Sequence, residues 1–222
     1  MQSKGPKVDG CLSQEQVQAV KRGFAGPTTT GGIKVYPGFP YDTGIGFKGP
    51  GILGLLSGGL SPVGPAPTVT QMNVDQEAAA AHNATEMAGD TDAWTNLSSF
   101  TGHGGKIIFY HGMSDPWFSP LDTLGYYERL SGDSKAAAVS DWSRLFLVPG
   151  MGHCGSGEAT LDRFDMLSAI VDWVEKGRAP DQVTATGAAF PGRSRPLCAY
   201  PKHAQYAGSG DSESAASFSC QE

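Results

Sequence analysis

The sequence predicts an α/β fold with a parallel sheet, and three observations carry that expectation. Two short apolar runs of strand length, Lys106-Ile107-Ile108-Phe109-Tyr110-His111 and Arg144-Leu145-Phe146-Leu147-Val148, end in Gly112 and in Pro149-Gly150. Helical character around Tyr126-Tyr127-Glu128-Arg129-Leu130 lies between them, and a second helical stretch, Leu161 to Lys176, follows. Strand, helix, strand, helix is the order of chains whose neighbouring strands run parallel, because a parallel return needs a crossover.

Upstream, Ser13-Gln14-Glu15-Gln16 has the form of a capping box, with Val17, Val20 and Phe24 behind it at helical spacing, so a helix is expected from Ser13 to Gly23. Gly26 to Thr70 is glycine and proline punctuated by aromatic and aliphatic residues, including Tyr36-Pro37-Gly38-Phe39-Pro40-Tyr41, and reads as long ordered loops. The Ala-rich stretch Gln76 to Met87 reads as helix, and Asp92 to Phe100 as a further turn of helix. In the helix expected over Leu161 to Lys176, one face carries Leu161, Phe164, Leu167, Ile170, Val171 and Val174, and Gly177 with Pro180 supplies the stop. The last forty or so residues read as loops. There is no internal repeat.

Composition narrows the function. The 222 residues allow one domain or one and a half, and 31 glycines with 15 prolines assign much of the chain to turns. A net charge of −6 and the lack of any Lys/Arg cluster argue against a nucleic-acid surface or an anionic membrane. No apolar run approaches the ~18 residues of a membrane span; Gly51 to Leu60 comes nearest and is broken by glycine and serine. Met1-Gln2-Ser3-Lys4-Gly5-Pro6 lacks the apolar core of a signal peptide, so no export signal is expected in the chain as it stands. Four cysteines fit an oxidising compartment or reactive thiols, and counting does not decide between them.

In open α/β sheets chemistry gathers at the carboxyl ends of the strands. After the first strand comes His111-Gly112-Met113-Ser114-Asp115-Pro116, and after the second Pro149-Gly150-Met151-Gly152-His153-Cys154. An acid and then a histidine on successive strand ends is the chain order of the last two triad members in α/β-hydrolases, whose serine comes first. Asp115 would hold the Nδ1 hydrogen of His153, and Nε2 would take the proton of a serine hydroxyl. Singly, an Asp before Pro is an ordinary turn residue and a Gly-flanked His an ordinary loop residue; their joint placement favours the catalytic reading. His111 is the competing base but belongs to the end of its strand, and His82, His103 and His203 lie in polar or loop contexts.

The third member is missing. No Gly-x-Ser-x-Gly occurs, and Cys154-Gly155-Ser156-Gly157 follows the histidine directly, where a strand-to-helix elbow has no room. Oxyanion HGGG, phosphate-loop, CxxC and HExxH motifs are absent as well, so catalysis by this sequence alone is not expected.

Gly104-Gly105-Lys106 through Asp115-Pro116, Val148-Pro149-Gly150-Met151-Gly152-His153-Cys154, Arg195-Pro196-Leu197-Cys198-Ala199-Tyr200-Pro201, and Gly208-Ser209-Gly210-Asp211 with Cys220 closely resemble the C-terminal part of the tannase and feruloyl esterase family. Cys11-Leu12-Ser13-Gln14-Glu15-Gln16-Val17 through Gly26-Pro27 and Tyr36-Pro37-Gly38 is similar to its lid. The resemblance implies an α/β-hydrolase core with a lid inserted before the strand bearing the acid, here residues 1–92 as the C-terminal part of the lid and 93–222 as the C-terminal part of the core. Asp115 and His153 fall on two of the three triad positions. Cys198 and Cys220 match the family's C-terminal disulfide, whereas Cys11 and Cys154 match cysteines whose partners lie upstream. The family's Asp-rich calcium loop has no match between Met1 and Ser13, so no metal or cofactor is expected in this chain.

The resemblance further implies a secreted or periplasmic carboxylic ester hydrolase acting on small aromatic acyl esters such as feruloyl, galloyl or terephthalate monoesters, with an N-terminal portion supplying the serine. The alternatives are a non-catalytic fragment that binds aromatic ligands through Tyr36, Phe39, Tyr41 and Phe47, and one half of a two-chain enzyme. Neither nucleic acid nor a membrane is an expected partner.

Overall fold

The computed structural model describes residues 10–42, 73–81, 88, 93–133 and 138–222. Gly51–Leu60, Phe47, His82, the rest of the expected loops to Thr70 and the expected helix beyond Ala81 lie outside the described residues.

Helix α1 (Gln14–Ala25) begins with the capping box read from the sequence: Ser13 Oγ accepts the Gln16 amide at 3.2 Å, and Gln16 Oε1 accepts the Ser13 amide at 3.0 Å. It runs two residues past the expected Gly23, because glycine in a helix interior weakens it without ending it. Gly26 ends it at φ 81°, where a side chain would overlap the Tyr36 carbonyl, so the 36–39 segment packs directly on the end of the helix. Helix α2 (Val74–Ala81) follows, and Asp75 accepts the Thr30 amide and hydroxyl at 2.9 and 2.7 Å. Helix α3 (Ser98–Gly102) is a single short turn.

Strands β1 (Ile107–Gly112) and β2 (Ser143–Val148) pair in parallel, Tyr110 opposite Phe146 and Gly112 opposite Val148. Helix α4 (Pro120–Asp133) is the crossover, started by Pro120 at its first turn with Ser119 Oγ accepting the Leu121 amide at 3.1 Å. Alternation along the strands feeds two cores. Leu145 packs with Tyr127, Leu130 and Trp142 on the α4 face, while Phe146 and Val148 pack with Met151, Ala185, Leu197 and Ala199 on the other. Burial on both faces of β2, and partial cover of Ile107, Ile108 and Phe109 on β1, explain why the strands read as apolar runs rather than as alternating ones. Each of the fully buried side chains Leu130, Leu145, Phe146 and Val148 contributes about 1.5–3 kcal/mol by leaving water.

Helix α5 (Met166–Lys176) starts five residues later than the periodicity suggests. Asp165 caps it, accepting the Ser168 amide at 2.8 Å, and Arg163 instead pairs with Thr186 as extended chain. Leu161 and Phe164 still reach the core, but from that extended approach. Within the helix Trp173 is buried, over its ring lie Lys106 and Arg144, and Leu167 and Val174 are 74% and 62% exposed. The expected face therefore mixes inward and outward residues.

The expectation of loops after residue 180 is corrected. Strands β3 (Gln182–Thr186) and β4 (Ser194–Cys198) form one antiparallel hairpin, and β5 (His203–Tyr206) and β6 (Phe218–Gln221) another. The first was legible as alternation: in Gln182-Val183-Thr184-Ala185-Thr186, Ala185 is buried and the Gln and Thr residues face out. β5 is exposed at all four positions and offers no hydrophobic pattern to read. The tail joins β2, since Tyr200 donates its amide to the Leu145 carbonyl at 2.8 Å. Arg193 grips Glu213 with two guanidinium nitrogens, at 2.6 and 2.9 Å, and holds its carboxyl below the usual range.

A disulfide joins Cys198 on β4 to Cys220 on β6, 22 residues apart, and so ties the two hairpins together. Replacing both cysteines by serine lowers unfolding free energy by about 3 kcal/mol, on a loop-entropy basis. Urea denaturation of the two proteins checks this, and a difference below about 1 kcal/mol would contradict it.

Candidate active site

The site is built where β1 and β2 end. Gly112 closes β1 against the turn that follows β2, and a methyl there would overlap the carbonyls of Met151 and Gly152, so only glycine lets the two strand-end turns lie this close. The β1 turn carries Asp115, 2% exposed, and the β2 turn carries His153. The structure brings together these two residues, singled out from the sequence 38 positions apart: His153 Nδ1 lies 2.8 Å from Asp115 Oδ2.

Four groups surround the Asp115 carboxylate. Oδ1 accepts the amides of Trp117 at 2.8 Å and Phe118 at 3.1 Å; Oδ2 faces His153 and also Nε2 of His111 at 3.2 Å. An ionised carboxylate only accepts, so both imidazoles present N–H to it. For His153 the proton sits on Nδ1, and Nε2 carries the lone pair. His111 has the opposite tautomer, since its Nε2 also faces the Phe118 carbonyl at 3.2 Å, and its Nδ1 accepts from the Thr123 hydroxyl at 2.7 Å. His111 does sit within β1, as its position before Gly112 suggests, but setting it aside missed its contact with the same carboxylate. The only available signal was its i,i+4 spacing to Asp115 on the strand and turn.

The ring of His153 is held between aromatic side chains, 4.7 Å from the Trp117 ring centre and 5.4 Å from that of Phe118. A cavity of about 420 Å³ opens beside it, lined by Tyr110, His111, Phe118, Met151 and His153 among others. The arrangement can orient an imidazole and stabilise its protonated form beside a cavity of mixed lining, with Tyr110, Phe118 and Met151 as its apolar wall and Asp122 and Thr123 among its polar groups. Among the described residues no serine hydroxyl hydrogen-bonds to Nε2 of His153. Ser156 lies in the turn after His153, its amide donating to Asp162 at 2.8 Å.

Cys154 follows His153 in a left-handed conformation at φ 60° and is exposed; Cys11 is partly buried, and both are free thiols. His103 and His203 are exposed, away from the cavity, and His103 Nδ1 meets the Ser99 carbonyl at 2.6 Å. Among the described residues no three His, Cys, Asp or Glu side chains are grouped to hold a metal ion, and no helix is long and apolar enough to cross a membrane.

Comparison with known proteins gives the family of the chain. The chain is 38% identical over 266 aligned residues to the mono(2-hydroxyethyl) terephthalate hydrolase of Piscinibacter sakaiensis, covering 99% of this chain and 43% of that protein. It is 32% identical to feruloyl esterase B of Aspergillus niger over 143 residues, 56% of this chain and 27% of that one. In structure it matches feruloyl esterase B from Aspergillus oryzae with a TM-score of 0.71 at 26% identity, over 95% of this chain and 46% of the other. The tannin acyl hydrolase from Aspergillus niger shares the fold, with a TM-score of 0.67 at 20% identity over 96% of this chain and 43% of that one. These neighbours are α/β-hydrolase folds. The chain thus spans less than half the length of each of these relatives. The family model for tannase and feruloyl esterase matches residues 67–221, and the chain belongs to that family.

Proposed function

We propose that this chain supplies the acid and the base of a serine carboxylic ester hydrolase acting on small aromatic acyl esters, with the nucleophilic serine in an N-terminal portion. The carrying observation is the Asp115–His153 hydrogen bond at adjacent parallel strand ends, in a turn walled by Trp117 and Phe118. In this reading His153 Nε2 removes the serine proton as the hydroxyl attacks the ester carbonyl, and Asp115 stabilises the resulting imidazolium. The imidazolium then protonates the leaving alcohol. Water, deprotonated by the same nitrogen, releases the aromatic acid from the acyl-enzyme. No step calls for a cofactor.

The same reading makes residues 1–92 the end of a lid and 93–222 the end of the core. Among the described residues β1 pairs only with β2, and Tyr110 on it is half exposed, which suits a further strand docking there from the N-terminal portion. Cys11 and Cys154, free here, would pair with cysteines of that portion. A secreted or periplasmic location fits these pairings and the Cys198–Cys220 bridge.

The test is reassembly. The chain is co-expressed with an N-terminal portion carrying the nucleophilic serine, and hydrolysis of feruloyl, galloyl and terephthalate monoesters is measured. Turnover of at least one, requiring both portions, is expected. Tight binding of these esters without turnover would favour the non-catalytic alternative, and neither binding nor turnover would remove the proposal.

A further inference from the structure

Asp42 lies far along the chain from the acid and the base, and it fastens the turns that bear them to each other. One oxygen of its carboxylate, Oδ2, accepts the hydroxyl of Ser114 at 2.6 Å and the amide of Gly150 at 2.6 Å. Ser114 immediately precedes Asp115 on the β1 turn, and Gly150 stands three residues before His153 on the β2 turn. The sequence separations are 72 and 108 residues, so neither contact follows from local chain geometry.

The segment that presents Asp42 is itself anchored. The Ser119 amide donates to Tyr36 Oη at 2.8 Å, the Ser119 hydroxyl donates to the Gly38 carbonyl at 2.5 Å, and Phe24 stacks on Tyr41 with ring centres 4.7 Å apart. Residues 36–42 therefore reach the site as a fixed strap. Hydrogen bonds to a charged acceptor are roughly twice as strong as neutral ones, and here a single acceptor serves two donors on different turns.

We propose that Asp42 is a positioning residue for the Asp115–His153 pair, acting through Ser114 and Gly150 without touching substrate. This rests on the catalytic reading of that pair for its consequence in activity, but its structural content is testable without activity. Asparagine at this position retains an oxygen able to accept both donors, whereas alanine removes it. The two turns would then keep the β1–β2 pairing, the Met113 amide on the Val148 carbonyl and the Ser114 amide on the Met151 carbonyl, both at 2.9 Å, and the imidazole–carboxylate contact itself, but would lose the one side chain that bonds to both.

The experiment is ¹⁵N-edited NMR of the 222-residue chain, following the Nδ1–H proton that His153 shares with Asp115. In Asp42→Ala its exchange with water accelerates by about tenfold or more, or the signal is lost, while the dispersed methyl spectrum of the folded chain persists. Asp42→Asn keeps the signal near wild type. In the reassembled enzyme Asp42→Ala lowers kcat by about 10²-fold with KM little changed, the cost of a misplacement of about 1 Å. A wild-type signal and exchange rate in folded Asp42→Ala, or an Asp42→Asn protein as impaired as Asp42→Ala, overturns the proposal. If Asp42→Ala does not fold, Ser114→Ala decides: faster exchange supports the strap, and unchanged exchange overturns it. Because the NMR result stands whether or not reassembly yields turnover, failure of the strap and failure of the catalytic reading remain separable.

Discussion

Replacing His153 by alanine lowers kcat of the reassembled enzyme on the order of 10⁶-fold, the scale on which a serine hydrolase loses activity when its base is removed. The reasoning is geometric. Nδ1 is committed to Asp115 at 2.8 Å, so Nε2 is the only position from which this residue can take the serine proton. Asp115 and His111 are already occupied with one another and with Trp117, Phe118 and Thr123, and neither can substitute. The side chain is about one third exposed, at 33%, so its truncation opens no core cavity and the loss is one of chemistry, not of fold. Steady-state hydrolysis of an aromatic ester measures this; a decrease of less than about tenfold would place the base elsewhere.

Asp115→Asn lowers kcat by about 10⁴-fold for a different reason, the wrong tautomer. Asparagine has one oxygen and one NH₂ group where aspartate has two acceptors. The amides of Trp117 and Phe118 require an oxygen on one side, which turns the NH₂ toward His153 and His111. His153 Nδ1 must then accept, the ring proton moves to Nε2, and the nitrogen facing the serine can no longer remove a proton. His111 is not forced the same way, because its Nε2 proton still has the Phe118 carbonyl to donate to and its Nδ1 still accepts from Thr123. Ring ¹⁵N shifts of the two histidines read the tautomers directly, and kcat reads the consequence. Unchanged His153 shifts together with unchanged kcat would refute the assignment.

What could be read from sequence was whatever is local or periodic. The capping box at Ser13 and Gln16 involves residues three apart, and β1 and β2 announce themselves as apolar runs because both faces of β2 are buried and those of β1 partly covered. Asp115 and His153 could be singled out because topology alone sends strand-end residues of a parallel pair to one edge. The start of α5 was misjudged because Leu161 and Phe164 reach the core from extended chain, which helical spacing imitates. The β5–β6 hairpin was missed because its first strand is exposed throughout. His111 and Asp42 were passed over for one reason: the groups that define their roles lie on other elements, Thr123 on α4 for the first and Ser114 and Gly150 on two turns for the second.

The central claim is that His153, held by Asp115, activates a serine supplied by the N-terminal portion. The measurement that meets it most directly is the rate at which a fluorophosphonate, which reacts with activated serine hydroxyls irrespective of ester preference, labels the reassembled enzyme, followed by intact mass. Labelling of one serine in the N-terminal portion is predicted, at a rate that collapses in His153→Ala and falls strongly in Asp115→Asn. Labelling at the wild-type rate in His153→Ala, or of the N-terminal portion equally well without this chain, would contradict it.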